Sequence, residues 1–176
     1  MDDAARIAEL QAALEQSRAE TRHAFESRAL VYSALYDELT TELGEELAAE
    51  VMKRAIFNRG LEVGKKYAPA AAAGDLDEVG AIFCNGSPCA GTLFTPSVEA
   101  RDEGRIVLSM TTCPLHDAWV AEGRTPEQVD RLCEIAAAVD EGTFEGAGLD
   151  LTFLDRAAIP GSSACLLELR AREGTD

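Results

Sequence analysis

The stretch RIVLSMTTCPLH, residues 105–116, decides the fold class because it joins a strand to a helix. Ile106, Leu108 and Met110 fall on one face of the strand, since successive side chains point to opposite faces of a sheet. Pro114 ends the strand and can take the first position of a helix. We therefore expect a sheet with helices packed on its apolar face.

Further strands are predicted on both sides of this stretch. Residues 93–101 alternate as residues 105–112 do, and the Asp-Glu-Gly sequence at 102–104 between them is typical of a hairpin turn. Two more strands are predicted at about 149–156 and 164–172. The chain should therefore form an antiparallel sheet of about four strands.

Helical periodicity dominates the remaining chain. Helical sequence runs to a break at Gly44, and a second helix is predicted from about Glu45 to Tyr67, followed by a connector at 68–74. Asp75 and Thr125 are typical N-caps of further helices. The predicted fold class is α+β: N-terminal helices followed by the antiparallel sheet, with helices on one face.

The chain divides into an N-terminal helical extension, residues 1–24, and a single α+β domain, residues 25–176. A length of 176 residues suits one domain. Ile7, Leu10 and Leu14 form a narrow apolar stripe on the otherwise polar first helix. Such a stripe is more typical of a contact with another helix or subunit than of a core, so we expect a homo-oligomer.

Charge and hydropathy restrict the class of partner. The chain has 32 acidic and 16 basic residues, a net charge of −16. This charge repels phosphate backbones and anionic lipids, so neither nucleic acid nor membrane is an expected partner. No apolar run approaches the roughly 20 residues of a membrane-spanning helix, and the start does not resemble a signal peptide. We expect a cytoplasmic protein that acts on a small molecule.

Cys113 is the first candidate for chemistry. Without a secretion signal, the five cysteines are expected as thiols and not as disulfides. Cys113 should be the N-cap of the helix that begins at Pro114, where the helix dipole lowers a thiol pKa from its usual value of about 8.5. His116, one turn later, would stabilise the thiolate or act as a base. The alternative is a buried, structural Cys113 beside a solvent-exposed His116.

Cys133 and Asp140 form the second candidate pair. Seven residues apart on a predicted helix, they share one face at a separation of about 10.5 Å along the axis. Cys165 is in phase with Leu167 and Leu169 and should point inward. The alternative interpretation makes the two cysteines core residues and Asp140 a helix end.

Metal binding is an alternative chemistry for the same residues. The four side chains that would supply ligands for zinc or iron are Cys113, His116, Cys133 and Cys165. Only Cys113 and His116 show close ligand spacing, whereas zinc sites usually bring ligands in two tight pairs. Cys84 and Cys89 flank a predicted loop and are a weaker second pair. We expect no cofactor, with zinc or iron as the alternative.

Several motifs together resemble the L-2-amino-thiazoline-4-carboxylic acid hydrolase family over roughly residues 25–170. The segments that carry the resemblance are 28–32 (RALVY), 36–39 (YDEL), 52–56 (MKRAI), 59–60, 64–67 (GKKY), 112–115 (TCPL), Ala118-Trp119, Leu132-Cys133 with Asp140, and Cys165. The resemblance implies a hydrolase that opens a small cyclic amidine or imine at a C–N bond.

The resemblance also implies roles for the candidate residues. Cys113, His116 and Asp140 would be catalytic, and the substrate would contact Cys133, Cys165 and Trp119. Two other functions stay open: a metal-dependent hydrolase, and a non-catalytic small-molecule sensor of vinyl-reductase-like type. An enzyme should expose the Cys113 thiol in a cleft near a proton donor, whereas a sensor should have a closed, apolar pocket.

Overall fold

The computed structural model describes residues 3–159 and 161–172, and it confirms the α+β class. The elements in chain order are α1 (Asp3–Leu43), α2 (Glu45–Gly64), α3 (Ala68–Ala72), α4 (Leu76–Asn85), β1 (Pro96–Asp102), β2 (Arg105–Met110), α5 (Pro114–Glu122), α6 (Pro126–Ala147), β3 (Leu149–Asp155) and β4 (Cys165–Ala171). None of the described helices combines the length and the apolar character needed to cross a membrane.

The four strands form one antiparallel sheet in the order β1-β2-β4-β3. Ile106 and Leu108 of β2 lie on the helix-facing side, as their alternation predicts, and are buried with Phe144 of α6. At the end of this pair of strands, Met110 of β2 lies opposite Cys165 of β4. Cys165 therefore lies at this end of the sheet, and Cys113 follows shortly after the end of β2.

Helix α6 packs closely on α2 because glycines bring the two backbones together. A Cβ atom on Gly142 would lie 2.1 Å from the carbonyl oxygen of Phe57, and one on Gly60 would lie 2.3 Å from that of Val139. Real side chains do not fit at such distances. Thr125 begins α6 with a capping box, in which its hydroxyl accepts from the Gln128 N–H.

The second half of α1 holds α5 in place. The Trp119 indole N–H donates to the Ala29 carbonyl at 2.8 Å, and the buried Ser33 hydroxyl donates to Glu122 at 2.7 Å. By contrast, residues 3–20 of α1 are exposed throughout. The helix is continuous across residue 24, so the proposed division between extension and domain stays a prediction.

Several predicted boundaries differ from the structure. Strand β1 begins at Pro96, not at residue 93, and β2 ends at Met110, not at residue 112. The predicted connector at 68–74 contains the short helix α3, because its alanines favour helix and Pro69 suits a first turn. Helix α2 ends at Gly64, three residues before Tyr67. Cys84 and Asn85, predicted in a loop, complete α4, whose Asp75 N-cap accepts from the Glu78 N–H as expected.

Candidate functional site

A cavity of about 310 Å³ lies where the sheet ends, between α6 and the segment that follows α4. Its walls are mostly apolar and include Met110 of β2 and Phe153 of β3. It contains five of the six residues that the sequence predicts for the site: Cys113, Trp119, Cys133, Asp140 and Cys165. The fold thus brings together residues that are up to 52 positions apart in the chain (165 − 113).

Each candidate reaches the cavity from a different element. Cys113 follows β2 and is the N-cap of α5, as predicted, with extended backbone angles of φ −146° and ψ 109°. Cys133 and Asp140 lie on one face of α6, two turns apart, as their spacing predicts. Cys165 begins β4 and its sulfur accepts from the Ala157 N–H at 3.5 Å.

The expected lowering of the Cys113 pKa is wrong. Burial raises the pKa of the Cys113 thiol, while the backbone N–H groups of His116 and Leu115 act in the opposite direction. The helix N-terminus is present, but loss of water around the sulfur outweighs it. Cys113 therefore needs a base to become a nucleophile.

The other two cavity thiols are also held in the neutral form. Burial raises the pKa of Cys133 to about 12, and the neighbouring Cys113 and Cys165 add to this effect. Burial likewise raises the pKa of Cys165. These mutual effects show that the three sulfur atoms share one poorly hydrated region.

Asp140 is the cavity carboxyl group whose pKa is raised most. Burial raises its pKa to about 7, the negative charge of Glu141 raises it further, and the positive charge of Arg28 lowers it. A carboxyl group with this pKa exchanges protons near neutral pH, which is the condition for general acid–base catalysis.

His116 lies outside the cavity lining. Its Nδ1 atom is 3.2 Å from the Asp117 carboxylate, and its ring is half-buried in the first turn of α5. Leu115, the preceding residue, takes the cavity side instead, because consecutive helical residues point about 100° apart. The structure therefore does not bring the His116 imidazole to the thiols.

The metal alternative requires at least three ligand side chains close together. Within residues 3–159 and 161–172, no three His, Cys, Asp or Glu side chains form such a group. Cys84 and Cys89 are separate from the cavity lining. The described side chains do not fit the zinc or iron site that cysteine and histidine spacing suggested.

The sequence analysis did not predict the charged cavity residues Arg28, Lys66 and Arg156, nor the cavity residue Ser87. The Arg28 guanidinium lies 4.4 Å from the centre of the Phe25 ring, and the Lys66 ammonium 4.8 Å from that of Tyr67. Arg28 and Lys66 fall within the family-like segments 28–32 and 64–67, which was the available signal. Nothing local in the sequence marks Ser87.

Comparisons with known proteins agree with this fold and place the chain in a family. No curated protein matches the chain. Among solved structures, trafficking protein particle complex subunit 3 from Naegleria fowleri, covalently bound to palmitic acid, is similar at 12% identity and a TM-score of 0.52. The match covers 85% of this chain and 96% of that one, and it shows a shared fold. A family model described as L-2-amino-thiazoline-4-carboxylic acid hydrolase matches residues 22–158, so the chain belongs to that family.

Proposed function

We propose that this chain is a cysteine-dependent hydrolase that opens a small cyclic amidine of the aminothiazoline-carboxylate type at a C–N bond. One observation carries the proposal: three thiols and Asp140 converge on a single apolar cavity of about 310 Å³. Apolar cavities with a few convergent polar groups are the usual sites for small molecules. The family description supports the choice of substrate class.

Cys113 is the proposed nucleophile. Of the three cavity thiols, it is the one at a helix N-terminus, where backbone N–H groups of Leu115 and His116 favour the thiolate. Cys133 is a poorer choice because burial and its neighbours raise its pKa to about 12. Cys133, Cys165 and Trp119 are proposed to contact the substrate ring.

Asp140 is the proposed base and acid. Its carboxylate takes the proton of the Cys113 thiol as the sulfur bonds to the ring carbon between the two heteroatoms, and the C=N electron pair moves to nitrogen. The ring amidine enters already protonated at this nitrogen, so when Asp140 returns the proton the nitrogen departs as a neutral amine. As the bond from nitrogen to carbon breaks, the lone pair of the exocyclic amino group forms a C=N bond to the same carbon. A pKa of about 7 suits both directions of transfer.

Water completes the reaction. It adds to the carbon that is bonded to Cys113, the bond from that carbon to the cysteine sulfur breaks, and the sulfur regains a proton. The product carries a carbamoyl group, one water is consumed, and no electrons are exchanged with another reactant. His116 has no part in this scheme because it lies outside the cavity lining.

A second candidate is non-catalytic binding of an apolar small molecule. The mostly apolar walls of the cavity favour it, and a structure of the same fold is described with palmitic acid bound covalently. In that case the thiols would line a sensor pocket and would not turn over a substrate.

Turnover separates the two candidates. Purified protein is incubated with L-2-amino-thiazoline-4-carboxylic acid, and the carbamoyl product is measured by mass spectrometry. We expect product with the wild type and with Cys84→Ser, whose thiol lies outside the cavity lining, and a loss of at least about 100-fold with Cys113→Ser. Binding without product in the wild type would favour the second candidate. Full activity of Cys113→Ser would refute Cys113 as the nucleophile.

A further inference from the structure

The cavity wall carries an ammonium group that the proposed hydrolysis does not use. Of the three lysines, Lys53 pairs with Glu134 and Lys65 with Glu62, whereas Lys66 lines the cavity and forms no ion pair with any residue that the structure describes. Acidic residues outnumber basic ones 32 to 16, so acidic partners are abundant in this chain. A cation that stays unpaired beside a cavity is available to a ligand.

The Lys66 ammonium is held against the segment that follows α4. It lies over the Tyr67 ring, a cation–π arrangement, at 4.8 Å from the ring centre. A Cβ atom on Gly86 would come within 3.3 Å of Lys66 Nζ, so the ammonium lies next to the Gly86 backbone. Ser87, the next residue in the chain, lines the same cavity.

Ser87 supplies the second and independent observation. It lines the cavity, and its hydroxyl oxygen is buried without a hydrogen-bond partner among residues 3–159 and 161–172. Buried hydroxyls nearly always have a partner, because an unsatisfied one lowers stability. Rotation about the Cα–Cβ bond of Ser87 would turn this hydroxyl from its buried position toward the cavity, where an acceptor atom of a bound ligand would satisfy it.

We propose that Lys66 and Ser87 form an anion subsite that binds the carboxylate of the substrate. This inference rests on the proposed function, which supplies a carboxylate-bearing ring as the ligand. The ammonium compensates the negative charge, and the hydroxyl donates a hydrogen bond to a carboxylate oxygen. Lys66 and Ser87 are binding residues that orient the ring toward the thiols and take no part in proton transfer.

Arg28 and Arg156 are the competing cations of the cavity. Arg156 already pairs with the Asp130 carboxylate at 2.9 Å, so Arg28 is the stronger competitor. It contacts the aromatic ring of Phe25, and its positive charge acts on Asp140, whose pKa it lowers. Arg28 therefore serves the acid–base group at the reacting end. The carboxylate goes to Lys66, where the unpartnered Ser87 hydroxyl is also available.

The test compares two ligands that differ by the carboxylate alone. Trp119 is the single tryptophan of the chain and lines the cavity, so its fluorescence reports binding. The probes are L-2-amino-thiazoline-4-carboxylic acid and 2-amino-thiazoline, which lacks the carboxylate. We expect the wild type to prefer the acid by at least about tenfold, which corresponds to one charge-assisted contact.

The variants locate that preference. Lys66→Met should abolish it, Ser87→Ala should reduce it several-fold, and the adjacent control Lys65→Met should keep it, because Lys65 pairs with Glu62. The proposed subsite would be wrong if Lys66→Met still preferred the acid over 2-amino-thiazoline. It would also be wrong if Arg28→Met were the one variant that lost this preference. A wild type that binds both probes equally would overturn it as well, whatever the activity.

The outcome for the subsite is separate from that of the proposed function. If the wild type forms no product but prefers the acid through Lys66, the subsite stands and hydrolysis falls. If product forms and the Lys66→Met variant has an unchanged KM, the proposed hydrolysis is supported and the proposed subsite is refuted. A wild type that binds neither probe overturns both.

Discussion

Helix α6 has two opposite faces, and small residues on each produce opposite results. On the face toward α2, Gly142 lets the backbones meet, with room for no side chain. On the other face, Cys133, Ala137 and Asp140 border an open cavity. A small side chain leaves space beside the helix. The neighbouring element decides whether that space is filled by close packing or stays open as a cavity.

The two faces also differ in what they demand of the chain. Close backbone contact requires the absence of side-chain atoms, so almost any substitution is costly there. On the cavity face, we expect a larger side chain to leave the stability of the fold almost unchanged but to weaken ligand binding. In the proposed function, ligand binding and stability therefore depend on opposite sides of one helix.

The largest expected effect is on the face toward α2. Gly142→Ala should lower the free energy of unfolding by about 3 kcal/mol, the upper end of the cost of overpacking, because the new methyl group meets the Phe57 carbonyl. Urea unfolding followed by circular dichroism measures it. The control Glu145→Ala, at an exposed position of the same helix, should stay within about 0.5 kcal/mol. Equal stability of the Gly142→Ala variant would contradict the close packing.

On the cavity face, Ala137→Leu should do the reverse. The larger side chain enters empty space, so we expect the unfolding free energy to change by less than about 1 kcal/mol. Binding of L-2-amino-thiazoline-4-carboxylic acid should weaken at least about tenfold, since the leucine occupies the ligand volume. Calorimetric titration and urea unfolding measure the two effects. Unchanged affinity would show that this face does not contact the ligand.

Asp140 makes the cavity face sensitive to pH. Its folded pKa of about 7 lies above its ordinary value, so the folded state keeps a proton that the unfolded chain releases. Its contribution therefore destabilises the fold progressively from about pH 4 and levels off above about pH 7. In the wild type, ionisation of Asp140 lowers the free energy of unfolding between pH 5 and pH 8. The Asp140→Asn variant should show a decrease that is smaller by roughly 1–2 kcal/mol. This is less than the full pKa shift implies, because the cavity admits water.

Urea unfolding at the two pH values checks this effect, with exposed Asp150→Asn as the control. Wild type and Asp140→Asn with the same pH profile would contradict the raised pKa. For activity the sign is opposite, because the ionised form is the base: the wild-type kcat/KM should rise with pH through about 7.

The smallest effect on the fold is expected at the exposed start of α1, which contacts neither face of α6. Ile7, Leu10 and Leu14 are 55%, 61% and 51% exposed, which supports the proposal that this segment joins subunits. Light scattering should detect a dimer or larger oligomer for the full chain and a monomer for a chain that begins at Thr21. Stability per subunit should change by less than about 0.5 kcal/mol. A monomer in both cases would refute the proposal.

The local sequence was sufficient to predict most of the helices and strands. The alternation of Ile106 and Leu108, the proline after Cys113 and the Thr125 capping box predicted a strand, a helix start and another helix start, and all three are observed. The seven-residue spacing of Cys133 and Asp140 predicted their shared face. Such features depend on backbone geometry and near neighbours, so they can be predicted without knowledge of the fold. The family follows from the same motifs, and its match to residues 22–158 confirms it.

Only the tertiary structure decided the chemistry of the site. The pKa of Cys113 is raised, and Asp140, not His116, faces the cavity, because burial and side-chain direction depend on what packs around each residue. Lys66 and Ser87 became candidates for the same reason. Among residues 3–159 and 161–172, no carboxylate pairs with Lys66 and no group forms a hydrogen bond with the Ser87 hydroxyl. Neighbours along the chain set secondary structure, whereas neighbours in space set solvation and charge, and these decide reactivity.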